Sequence, residues 1–155
     1  MILLSGPEPQ RTMLEEILRS EALKFNGKVL FVRGVVENDQ KNSSLKNITF
    51  YNFMNARQLE KAINESEKVL CRSGYTTIMD LAKLGKKAYF IPTPGQYEQE
   101  YLAKRLQKYG FYPYCDQDDF TIENLADIEK FTGIKTNELD LDWTKLLSVF
   151  NISAN

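Results

Sequence analysis

Short apolar runs of strand length alternate with stretches of helical period along most of this chain, and that alternation limits the fold more than any other feature. Runs at 2–4, 28–32, 48–53, 68–71, 87–91 and 111–115 read as strands. Between them, apolar residues recur at helical spacing over 8–24, 56–65, 74–84 and 97–109, with weaker helical patterns at 121–131 and 142–149. Strand–helix alternation predicts crossover units and a mainly parallel sheet. The strands are almost continuously apolar, as expected when helices cover both faces. The polar stretch 37–47 reads as a loop. The reading is therefore α/β, with three layers and a mainly parallel six-stranded sheet.

Composition removes several function classes. The chain has 155 residues, enough for one domain with a real core, and a formal net charge of -1. No global field recruits nucleic acid or an anionic membrane. There is no histidine, which removes the commonest general base and metal ligand together. Cys71 and Cys115 do not make a disulfide framework, and beside apolar runs they read as free thiols of a reducing, cytoplasmic protein. No run is long enough to span a bilayer. Because an apolar strand starts at Ile2, directly after Met1, residues 1–155 are expected to be a single domain excised from a longer protein.

In an open parallel sheet, ligands bind beyond the carboxyl ends of the strands. Three such turns carry candidate residues. The first is Cys71-Arg72-Ser73-Gly74-Tyr75-Thr76-Thr77, followed by Asp80. Gly74 permits close backbone approach, a helix start favours an anion, and Ser73, Thr76 and Thr77 offer hydroxyls for a diphosphate. Asp80, about one turn on, can accept from ribose hydroxyls. The same residues would equally serve as an N-cap and a first-turn acid. The second turn, 92–100, places Gln96, Glu98 and Gln99 at a helix start, an acid and amides able to bind sugar hydroxyls or simply to face water. The third, 5–12, offers Gly6 and Arg11 as phosphate contacts, or a proline-initiated helix with an exposed arginine. Its one glycine does not make a dinucleotide fingerprint. The tyrosines around 97–114 read as packing, Lys83, Lys86 and Lys87 as a solvated helix end, and Asp116, Asp118 and Asp119 as a loop without a calcium-binding pattern.

In order, Cys71-Arg72-Ser73-Gly74 with Thr77 and Asp80, then Ile91-Pro92 with Gly95-Gln96, Glu98-Gln99 and Ala103, resemble the C-terminal domain of family 28 glycosyltransferases. That group includes lipid II-forming N-acetylglucosaminyltransferases and diacylglycerol galactosyltransferases. The resemblance covers roughly residues 1–115. It implies the GT-B fold, in which two Rossmann-like domains enclose the active site and the C-terminal one binds a nucleotide sugar, typically a UDP-sugar, without a required metal or other cofactor. It places Ser73, Gly74 and Thr77 at the diphosphate, where the residue reading adds Thr76, Gly6 and Arg11, and Asp80 at the ribose. Phe53 and Met54 fall at the nucleobase, and Glu98 and Gln99, beside Gln96 of the same turn, at the donor sugar. Catalytic residues and the acceptor site would belong to an N-terminal domain in cis, or to a partner subunit if this chain is a separate donor-binding protein. Any peripheral contact with the inner face of a membrane would come through that other half. Half of a GT-B-fold sugar-nucleotide epimerase is the neighbouring reading. A receiver-like domain is disfavoured, because Ser5-Gly6 and Phe53-Met54 stand where receivers carry acids. The family's first loop is usually richer in glycine than Ser5-Gly6-Pro7-Glu8-Pro9, and its ribose acid is commonly glutamate.

Overall fold

A computed structural model describes residues 1–135 of the chain. Six strands form one sheet: β1 (Ile2–Leu3), β2 (Val29–Val32), β3 (Asn42–Leu45), β4 (Ile48–Tyr51), β5 (Val69–Cys71) and β6 (Ala88–Phe90). Their spatial order is β3-β4-β2-β1-β5-β6, parallel throughout except for the antiparallel β3–β4 edge. Four helices accompany them: α1 (Gln10–Ala22), α2 (Ala56–Glu65), α3 (Tyr75–Lys83) and α4 (Tyr97–Lys108). From β1 the chain builds outward through β2 to β4, then returns to the other side of β1 for β5 and β6. This reversal puts the topological switch point between the carboxyl ends of β1 and β5, where open α/β sheets form their ligand-binding crevice.

Both faces are covered, as the apolar strands require. On one face Leu14, Leu18 and Ala22 of α1 pack on Phe31, Ile48, Phe50 and Ile91, with Phe120 and Ile128 closing the layer. On the other, Ile63, Ile78, Leu81, Leu102 and Leu106 pack on Val69, Cys71, Ala88 and Phe90. Local chemistry sets the helix limits. Asn55 caps α2 by accepting from the Gln58 amide at 3.0 Å, while the Gln58 side chain accepts from the Asn55 amide at 3.0 Å. This reciprocal pair satisfies two orphan donors and fixes the start of α2. Cys71 is buried and Cys115 half-buried, and neither forms a disulfide. Burial raises the Cys71 thiol strongly and pushes Cys115 up to about 11.

Three expectations are corrected. The stretch 111–115 is not the sixth strand, because only an isolated bridge joins Tyr114 to Phe90. Pro113 has no amide to give, so the ladder stops after its carbonyl accepts from Phe90 and Phe90 accepts from Cys115. The sixth strand is instead β3, inside the stretch read as a loop. All four of its residues are exposed and only Leu45 is apolar, so no periodic signal marks it. The helix expected at 121–131 is a 3₁₀ segment, Ile122–Lys130. The one expected at 142–149 lies outside the described residues. No helix among the described residues is long and apolar enough to cross a membrane.

Candidate functional site

The start of α3 is built to remain open. Gly74 stands at its N-cap with φ −71° and ψ 143°, and no side chain caps it. A Cβ built on Gly74 meets nothing within 4 Å. The first intrahelical bond runs from the Ile78 amide to the Gly74 carbonyl at 3.0 Å. The uncapped end carries the partial positive charge of a nine-residue helix into open space. The helical period then puts Thr76, Thr77 and Asp80 on neighbouring positions of one face. Thr76 and Asp80 are exposed and Thr77 is half-buried.

The start of α1 is different. Glu8 accepts from the Thr12 amide at 3.2 Å and pairs with the Arg11 guanidinium. Hydrogen bonds from Thr12 and Arg11 hold the Glu8 carboxyl below its ordinary range. Arg11 is buried, and its guanidinium also donates to Glu15 at 2.9 Å and to the Arg33 carbonyl at 3.2 Å. Where a phosphate clamp was expected, Arg11 engages the chain's own acids, with Glu8 at this helix start. Gly6, at φ +110°, keeps its place where the loops after β1 and β6 meet, 3.6 Å from Thr93 Oγ1 at its Cβ position.

Ser73 and the amides of the loop after β6 are also held by the chain's own groups. The fully buried Ser73 hydroxyl donates to the Gln99 carbonyl at 2.8 Å, so its proton joins α3 to α4 instead of reaching a diphosphate. Gln99 accepts from the Thr93 amide at 2.9 Å and donates to Gln96 Oε1 at 2.6 Å. Gln96 and Gln99 thus stabilise their own loop, while Glu98 is exposed. Glu100, outside the expected set, accepts from the Gly95 amide at 2.8 Å and closes the same turn. The Phe53 backbone is engaged too: its amide donates to Asn52 and its carbonyl accepts from Gln40. Met54 lines a groove of about 1290 Å³ with Leu30, Thr49, Tyr51 and Gln58. That groove reaches the amino ends of the strands at Lys28 and Lys68, away from the crevice.

Beneath the crevice lies Arg72, which the sequence places in the turn after β5 without fixing its partners. Arg72, only 1% exposed, follows β5 and runs under the neighbouring loops. Its guanidinium donates to the carbonyls of Ile91 (3.1 Å), Pro92 (2.9 Å) and Gln10 (3.0 Å), and to Gln117 Oε1 (2.7 Å). The one available signal was a basic residue directly after a wholly apolar strand.

The comparisons with known proteins now decide the family. Residues 4–139 match the model of the glycosyltransferase family 28 C-terminal domain. The chain belongs to this family. It is 38% identical over 71 residues to the UDP-N-acetylglucosamine--N-acetylmuramyl-(pentapeptide) pyrophosphoryl-undecaprenol N-acetylglucosamine transferase of Haemophilus ducreyi, covering 45% of this chain and 20% of that protein. The enzyme of the same name from Baumannia cicadellinicola is 28% identical over 135 residues, covering 82% of this chain and 38% of that protein. The family 28 domain here therefore spans well under half the length of these relatives. The spinosyn forosaminyltransferase SpnP shares the fold at a TM-score of 0.56 and 14% identity, over 82% of this chain and 34% of that one. Among the described residues, no group of three or more His, Cys, Asp or Glu side chains is placed to hold a metal ion.

Proposed function

We propose that this chain is the donor-binding half of a GT-B glycosyltransferase that moves a hexosyl group from a UDP-sugar to an acceptor. The observation that carries the reading is the uncapped start of α3, with empty space over Gly74 and Asp80 on the adjoining exposed face. A diphosphate fits there because free helix-start amides and the helix dipole favour an anion. Backbone amides at 74–77 and the hydroxyls of Thr76 and Thr77 hold the diphosphate, and Asp80 accepts from the ribose. As the glycosidic bond breaks, negative charge grows on the leaving diphosphate, and a pre-oriented helix start stabilises it without reorganisation or a metal. Glu98 is the exposed acid of the sugar loop and orients the hexose, while Gln96 and Gln99 keep that loop in shape. The acceptor and the catalytic base come from an N-terminal domain in cis.

Asp80→Ala tests the ribose assignment. Asp80 is exposed, so thermal stability stays unchanged, whereas UDP affinity falls about tenfold, the worth of one charge-assisted hydrogen bond. Calorimetric titration of both proteins with UDP reads this directly. Equal affinities would remove Asp80 from the site.

A further inference from the structure

A buried charge usually meets an opposite charge or a metal. Among the described residues, Arg72 meets neither. Its four acceptors are three carbonyls and one amide oxygen, and its Nε has no partner. The ion pairs of the described residues do not include it. Desolvation lowers its pKa only to about 10, so it stays charged at neutral pH. The acceptors come from the first turn of α1, the loop after β6 and the segment following 115, and Arg72 itself follows β5. All lie at the carboxyl end of the sheet, around the crevice that the start of α3 faces.

A cation in this position costs stability that its hydrogen bonds only partly offset. An apolar side chain could fill the space, so packing alone does not call for a charge. What the charge does supply is a fixed positive potential under the crevice, little screened because water and salt cannot enter. Resting on the donor reading above, we propose that Arg72 is a positioning residue that attracts the phosphates of the nucleotide through space, its guanidinium sealed under the crevice without touching them. The missing counter-charge is the ligand's own.

The test is a charge ladder. The intact protein is titrated calorimetrically with uridine, UMP and UDP, as wild type, Arg72→Gln and Arg72→Lys. In wild type the affinity rises along the series. In Arg72→Gln the affinity for UDP falls about tenfold or more and for UMP less, while uridine binds as before, because a through-space term scales with ligand charge. Arg72→Lys keeps the charge and keeps the ladder. A purely structural tether would weaken all three ligands equally, and that result overturns the proposal, as does an unchanged ladder in Arg72→Gln or a flat one in wild type. If Arg72→Gln does not fold, Arg72→Lys decides: a collapsed ladder there overturns the proposal. Failure of wild type to bind any of the three would instead sink the donor reading itself.

Discussion

Gly74→Val will leave the chain folded and remove its nucleotide binding. The backbone at Gly74, φ −71° and ψ 143°, lies in the extended region that valine prefers. Among the described residues, nothing beyond its chain neighbours lies within 4 Å of the new Cβ, so the described fold does not require glycine here. The folding cost is that of a poorer N-cap, about 0.5–1 kcal/mol, or roughly 2–4 °C in thermal midpoint. The branched side chain would stand in the space assigned to the diphosphate. UDP affinity is expected to fall at least about thirtyfold, roughly 2 kcal/mol. Thermal melting and calorimetric titration read the two effects separately. A variant that binds UDP as wild type does would show that the ligand never approaches Gly74.

Gly34→Ala will do the reverse and damage the fold. Gly34 sits at φ +69°, and a Cβ there would lie 2.4 Å from the Leu4 carbonyl oxygen. That oxygen belongs to the backbone at the end of β1, whose amide bonds Val32 at 2.9 Å, so it cannot step aside alone. Left-handed strain and the collision add. A loss of about 3–5 kcal/mol is expected, lowering the thermal midpoint by roughly 10 °C. A change of only a degree or two would mean that the loop after β2 moves freely. Of two glycines near the same end of the sheet, the fold requires Gly34, whereas only the proposed donor site calls for Gly74.

Much of this architecture is readable in the residues. β1, β2, β4, β5 and β6 are apolar because both sheet faces are covered, and the helical spacing over 56–65 marks α2 from sequence alone. β3 was not readable. Asn42–Leu45 pairs through its backbone at an exposed edge, and edge pairing needs no apolar side chain. The stretch 111–115 misled for the opposite reason: its aromatic residues suit a strand, but Pro113 cannot extend a ladder.

The site was legible to the same degree. The Arg72-Ser73-Gly74 turn announces a strand end and a helix start, and Thr76, Thr77 and Asp80 follow on one face. What a sequence does not fix is where each polar group finds its partner. Ser73 offers its proton to Gln99, twenty-six positions away, which only the packing of α4 on α3 brings near. Arg11 is different, since Glu8 and Glu15 stand three positions before it and four after it, at helical pairing distance. That spacing suits an internal ion pair, a third outcome beside the phosphate contact and the exposed arginine that the sequence suggested. Arg72 needed the fold, because its acceptors lie on three separate segments.

The most direct test of the donor-domain account is a calorimetric titration of the 155-residue chain with UDP, beside GDP and ADP. The account predicts UDP binding with a Kd of about 0.1–1 mM, as suits half of a two-domain cleft, and clearly weaker binding of the purine nucleotides. Equal binding of all three, or none at millimolar concentration, would contradict it.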